Sequence, residues 1–119
     1  MEIRNIQYHD VLFCKDKNLI FKSHYEYFGI VVDSIVISFL SIEKKDTTIK
    51  IRSNYTRPEH RKKGYMKSLI QYVLAQYPNY IFRVDAIETS YKIYRNLGFE
   101  TTNEKQFKHF KIYYMRRQP

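Results

Sequence analysis

The stretch Pro58-Glu59-His60-Arg61-Lys62-Lys63-Gly64-Tyr65-Met66 holds the residues most able to do chemistry. Arg57, Arg61, Lys62, Lys63 and Lys67 gather there, with only Glu59 opposing them. Apolar residues recur afterwards at Tyr65, Met66, Leu69, Ile70, Val73 and Leu74, the spacing of one helical stripe. The loop therefore opens a helix, and the amides of residues 61–66 are the donors that a helix start leaves without partners. Such a terminus carries about half a positive charge and holds phosphate. Gly64 removes a Cβ where a ligand has to approach the backbone. This composition suits a pyrophosphate cradle, and it equally describes a solvated basic loop. It is not a Walker loop, which needs a second glycine and a Lys-Ser/Thr pair.

A second segment, Tyr91-Lys92-Ile93-Tyr94-Arg95-Asn96-Leu97-Gly98-Phe99, closes a helix about one βα unit downstream. Two of the three glycines in the chain lie in these two segments. Other constellations are weaker. Cys14 with His9 or His24 has no spacing that joins thiol to imidazole, and an ordinary buried thiol explains it. The histidines at 9, 24, 60 and 109 are scattered, so no metal site is expected. Lys105, Lys108, Lys111, Arg116 and Arg117 form a basic end with no acid after Glu104. Tyrosines among lysines suggest stacking platforms for nucleic acid, and a solvated strand face suggests the same pattern.

The elements that carry these segments follow from periodicity. Residues 3–7 read as a short strand, and residues 8–23 have room for one short helix. Residues 25–32 and 35–42 read as strands joined by a turn at Asp33-Ser34, with a second turn at Lys44-Lys45-Asp46. Residues 48–52 alternate as a half-buried strand. The first helix follows and ends at Pro78-Asn79; residues 80–86 form a strand, residues 89–97 a second helix stopped at Gly98, and residues 107–115 a final strand. The chain has 119 residues, 44% of them hydrophobic, with 12 Tyr and 8 Phe. That is enough for one domain with one core, α+β or mixed α/β, and excludes a disordered chain. A single cysteine excludes an internal disulfide framework. No signal-like or bilayer-spanning run is present, so a cytoplasmic, soluble protein is expected. The formal charge of +9 predicts attraction to anionic partners without selecting one.

The two segments together resemble the GNAT superfamily of acetyl-CoA-dependent N-acetyltransferases. Its Arg/Gln-x-x-Gly-x-Gly/Ala start of the central helix is matched by Arg61-Lys62-Lys63-Gly64-Tyr65-Met66, preceded by Pro58-Glu59-His60. Its later Tyr-x-x-Leu-Gly-Phe is matched by Tyr94-Arg95-Asn96-Leu97-Gly98-Phe99. The order of elements agrees from about residue 24 to the end. The resemblance implies a single domain over residues 1–119, with a mixed central sheet, splayed central strands and two main helices. It implies that acetyl-CoA enters between the strand ending at Tyr55-Thr56 and the next strand, its pantetheine on the first. The pyrophosphate would sit on Arg61, Lys62, Lys63, Gly64, Tyr65 and Met66, with Lys67 beside them. Tyr94 falls at the general-acid position of the family, although an aromatic on a helix stripe also serves as core.

Three departures accompany the match. Met66 replaces Gly or Ala, Ile87 stands where many members carry Asn, and no strand offers the Glu that some members use as base. Asp85, Glu88 and His60 are the nearby candidates, and none is assigned. The front is also short, since residues 8–23 replace two helices that wall the acceptor site. The expected acceptor is accordingly an amine on a macromolecule, a protein among the candidates. Two further readings stay open: a non-catalytic module that binds nucleic acid through its basic surface, and an interaction factor completed by a protein partner. No membrane partner is expected, and a homodimer is compatible with the sequence.

Overall fold

In the computed structural model, which describes residues 1–16 and 18–119, seven strands form one mixed sheet in the order β1-β2-β3-β4-β5-β7-β6. The strands are β1 (Glu2–Ile6), β2 (Glu26–Val32), β3 (Ile35–Lys45), β4 (Thr48–Thr56), β5 (Ile81–Ala86), β6 (Glu100–Gln106) and β7 (Lys111–Arg117). Two helices, α1 (Tyr65–Gln76) and α2 (Glu88–Asn96), follow β4 and β5. Among the described residues, no helix is long and apolar enough to cross a membrane.

The first four strands are antiparallel neighbours, and short turns join β2 to β3 and β3 to β4. Asp33 and Ser34 both adopt positive φ, 50° and 65°, in the two-residue loop that carries β2 into β3. The next turn falls at Asp46-Thr47, later than expected, because β3 and β4 stay paired out to Lys45 and Thr48. Only β4 and β5 run parallel, joined by the α1 crossover.

Leu69, Ile70, Val73 and Leu74 form the buried stripe of α1. They pack on Phe28, Ile30, Leu40, Ile42 and Ile49 from β2, β3 and β4. Each such side chain, fully buried, contributes about 1.5–3 kcal/mol. The second helix packs on β5 and β7, on the same face of the sheet, with Tyr94 turned inward. The opposite face is covered differently. Among the described residues of 8–23 there is no α-helix. A 3₁₀ turn lies at Tyr8–Val11, and Phe13, Leu19 and Phe21 pack over Tyr27, Phe39 and Tyr55.

One strand was not expected. Glu100–Gln106 reads Glu-Thr-Thr-Asn-Glu-Lys-Gln, with no apolar residue to mark a face, and it is exposed throughout. It forms because β7 offers a free edge, and its charged side chains shield the outer edge it then presents. The expected final strand at 107–115 therefore begins later, at Lys111. Residues 107–110 are the turn between the two strands, closed by the Phe107 N–H on the Phe110 carbonyl at 2.8 Å.

Candidate active site

The parallel pairing of β4 with β5 runs from Thr48↔Ile81 to Ile51↔Val84 and stops there. Beyond that point β4 continues to Thr56 on β3, while β5 continues to Ala86 on β7. The two strands thus part company, as expected, and open a wedge whose inner edges have no strand partner. Such edges need hydrogen-bond partners.

The loop after β4 is tied down by arginine. The Arg57 N–H donates to the Ile37 carbonyl at 2.9 Å and its Nε to the Val36 carbonyl at 2.7 Å, with the guanidinium 3.9 Å above the Phe13 ring. A 3₁₀ turn follows at Pro58–His60, and the Arg61 N–H closes it on the Pro58 carbonyl at 3.3 Å. The expected run of free amides therefore starts one residue late. Among the described residues, the N–H groups of 62–67 have no hydrogen-bond acceptor, and the first helical bond is Ser68 N–H to the Gly64 carbonyl at 3.1 Å. Lys62 and Gly64 both adopt left-handed φ, 62° and 81°, so the amides curve around a concave turn that suits an anion. Lys62, Lys63 and Lys67 are exposed around it, whereas Tyr65 and Met66 pack against the core.

The arginine at 61 does something the motif does not announce. Its Nε donates to the Thr56 carbonyl at 2.8 Å, and its guanidinium lies 5.4 Å from the Tyr55 ring. Thr56 is held from the other side too, its hydroxyl 2.8 Å from Ser38 Oγ, which also donates to the Tyr55 carbonyl at 3.1 Å. Tyr55, Thr56 and Arg61 thus form one contact set at the end of β4.

Tyr94 is positioned by the way α2 ends. The Gly98 N–H bonds the Arg95 carbonyl and the Phe99 N–H bonds the Tyr94 carbonyl, with Gly98 at φ 92°. That is a Schellman cap, whose characteristic apolar contact is here the Phe99 ring edge-on to Tyr94 at 5.2 Å. The Tyr-x-x-Leu-Gly-Phe spacing is the sequence of this cap. Tyr94 is fully buried, and its phenol oxygen accepts a hydrogen bond from Asn54 Nδ2 at 2.8 Å. Burial pushes the phenol well above its ordinary range, and the Asn54 hydrogen bond opposes that shift in part. With its oxygen already accepting from Asn54, the hydroxyl proton is left for another acceptor.

The two candidate carboxylates are engaged elsewhere. Asp85 pairs with Lys50 Nζ at 3.0 Å on the face away from the helices. Glu88 accepts the Tyr113 hydroxyl at 2.6 Å, and that hydrogen bond holds the Tyr113 phenol up. Ile87 caps α2 with no side-chain hydrogen bond and is exposed. His60 Nδ1 is buried, with no hydrogen-bond partner among the described residues. Asn54 escaped sequence reasoning. Alternation from Ile49 and Ile51 would put it on the other face, and it turns toward α2 only because the β3–β4 register shifts where Ser41 and Ile42 pair with Ser53 and Ile51.

Residues 13–118 match the family model described as acetyltransferase (GNAT) domain. No curated protein matches the chain significantly. Solved structures do resemble it. An N-acetyltransferase from Staphylococcus aureus Mu50 superposes with a TM-score of 0.76 at 14% identity, covering 98% of this chain and 97% of the other. The ribosomal-protein-S18-alanine N-acetyltransferase of Escherichia coli superposes at 0.79 and 10% identity, over 98% and 92%. A GNAT family acetyltransferase from Elizabethkingia anophelis, with acetyl-CoA bound, superposes at 0.78 and 14%, over 99% and 97%.

Proposed function

The chain belongs to the GNAT acetyltransferase family, and from that premise we propose that it transfers the acetyl group of acetyl-CoA to a primary amine on a macromolecule. The observation that carries the reading is the run of unbonded amides at residues 62–67, next to the wedge between β4 and β5. The diphosphate accepts from those amides, with Lys62, Lys63 and Lys67 screening its charge. The pantetheine lies along β4 by Tyr55 and Thr56, and Arg61 braces that strand end from below. Acetyl-CoA bound to the Elizabethkingia neighbour supports the choice of donor. The protein acceptor in the name of the Escherichia coli neighbour supports a macromolecular amine, as does the short front at residues 8–23.

The amine nitrogen attacks the thioester carbonyl carbon, the C–S bond breaks, and CoA leaves as a thiolate. The surplus amine proton goes to water, since Asp85 and Glu88 are both engaged, and the thiolate takes a proton from water to end as a thiol. Tyr94 serves the leaving sulfur. A thiol has an ordinary pKa of about 8.5 and the buried phenol lies far higher, so complete proton transfer from Tyr94 is uphill. Tyr94 instead donates a hydrogen bond that strengthens as charge develops on sulfur. Most of the acceleration comes from positioning amine and thioester together.

Intact-mass analysis tests this reading. Peptides with a free α-amine, and others with lysine as the only amine, are incubated with acetyl-CoA and enzyme. The expected result is a gain of one acetyl group on one of the two sets. If acetyl-CoA binds and neither set gains mass, transfer to a macromolecular amine is wrong. If acetyl-CoA does not bind and nucleic acid does, the non-catalytic module is the better reading.

A further inference from the structure

The sheet has a second chemically distinctive surface, on the face opposite α1 and α2 and independent of the acetyl-transfer reading; its Lys50↔Arg83 pair directly precedes Ile51↔Val84, the last pair before the wedge. On the face away from α1 and α2, the described residues of the covering segment 8–23 cluster with Ile6 of β1, with β2 and β3, and with Tyr55. Among the described residues nothing packs over the outer side of β5, β7 and β6. Across that bare half the strand registers align one row of charges. Glu43 on β3 opposes Lys50 on β4, Lys50 opposes Arg83 on β5, Arg83 opposes Arg116 on β7, and Arg116 opposes Glu100 on β6.

Three adjacent cations therefore stand side by side at the spacing of neighbouring strands, about 5 Å. The β3–β4 end of the row is balanced. Glu43 is bonded by Arg52 and His24, and Lys50 is paired with Asp85. The centre is not. Among the described residues, neither Arg83 nor Arg116 has a carboxylate within ion-pair distance, and both are exposed. Like charges directly opposite one another disfavour a sheet, and an anion bridging them removes that repulsion. Grooves extend the row on both sides. One of ≈ 720 Å³ is lined by Arg83, Lys50, Arg52 and Lys45 with Glu43 and Asp46 among them, and another of ≈ 360 Å³, at the sheet end beside Gly98, is lined by Arg116, Arg117 and Glu100.

We propose that this helix-free face binds nucleic acid through its phosphates, with Arg83 and Arg116 at the centre of the contact. Guanidinium forks match phosphate oxygens in pairs. A protein partner fits less well, because protein interfaces are depleted of charge at their centre and this surface is most charged there. The row reads backbone and not bases, so the contact is independent of sequence.

Fluorescence anisotropy with a labelled duplex DNA of ~20 mixed-sequence base pairs, between about 50 and 200 mM salt, tests the proposal. Wild type is expected to bind with a steep salt dependence. The Arg83→Ala/Arg116→Ala pair should bind at least about tenfold more weakly, with a slope of log K against log salt shallower by about 2, one unit for each phosphate that no longer meets a guanidinium. Its affinity for acetyl-CoA should be unchanged, and saturating acetyl-CoA should not displace the DNA from wild type. Arg83→Gln/Arg116→Gln gives the same comparison if the alanine pair lowers thermal stability. Undiminished binding by a folded double variant, displacement by acetyl-CoA, or polyglutamate binding as tightly as DNA would each overturn it.

Discussion

The side-chain amide of Asn54 on β4 donates a 2.8 Å hydrogen bond to the phenol oxygen of Tyr94 on α2. The bond crosses the wedge just beyond Ile51↔Val84, the last backbone pair that β4 and β5 share. Where β4 has left β5 it is thus tied to α2 by a polar contact in the interior, and that contact sets which way the Tyr94 proton faces. By donating to the oxygen, Asn54 leaves the phenol hydrogen for another acceptor, the sulfur in the proposed mechanism, and stabilises negative charge on the oxygen.

Removing the hydroxyl and removing its partner should be separable. Tyr94→Phe is expected to lower kcat by about 10²-fold, the low end for a group acting on a departing atom, with acetyl-CoA affinity nearly unchanged. Asn54→Leu should lower kcat by about tenfold and leave the hydroxyl without an oriented partner. Asn54→Asp should be worse than leucine, because an ionised carboxylate accepts the phenol proton and withholds it from sulfur. Steady-state kinetics on the three variants checks the order. A kcat for Asn54→Asp equal to wild type would show that the proton does not point to the reacting atoms.

Gly64 is needed for its backbone conformation and not for space. A Cβ there would meet nothing within 4 Å, yet φ is 81°. Gly64→Ala should therefore destabilise the loop by about 1–2 kcal/mol from left-handed strain alone and weaken acetyl-CoA binding, while Gly64→Asn should cost less. Thermal unfolding and titration calorimetry of the two variants measure this difference. Equal losses for Ala and Asn would point to crowding by the side chain.

Alkaline pH should destabilise the protein through Tyr94. In the unfolded chain the phenol ionises near pH ~10; in the folded chain burial keeps it neutral well above that. Below pH ~10 both states hold the proton and the contribution is fully present. Above it the unfolded state releases a proton that the folded state retains, and stability falls as pH rises. Tyr94→Phe lacks this term, so its Tm should decline less than wild type between about pH 9.5 and 11. Parallel curves would mean that Tyr94 titrates as an exposed phenol.

Much of this was legible in the chain because local rules and tertiary demands agree. The α1 stripe at Leu69, Ile70, Val73 and Leu74 has one period and one buried face. The β2–β3 turn is written in Asp33-Ser34, and the α2 stop in Gly98. What escaped depends on partners distant in sequence. The polar strand Glu100–Gln106 exists only because β7 has an edge to pair with. Asn54 gains its meaning from a residue forty positions later, and the row from Lys50 to Arg116 from strand registers that periodicity does not supply. The loop amides were anticipated within one residue; the reversal of Arg61 onto Thr56 was not, because the motif shows the charge and not where it folds.

The central claim is that the amides of residues 62–67 receive the diphosphate of acetyl-CoA. Amide chemical shifts followed by NMR during titration with acetyl-CoA test it most directly. The account predicts that these six resonances move together and saturate with the same affinity that calorimetry gives for the whole protein. If acetyl-CoA binds while they stay still, or moves instead the amides around Arg83 and Arg116, the cradle is elsewhere and the proposed mechanism fails.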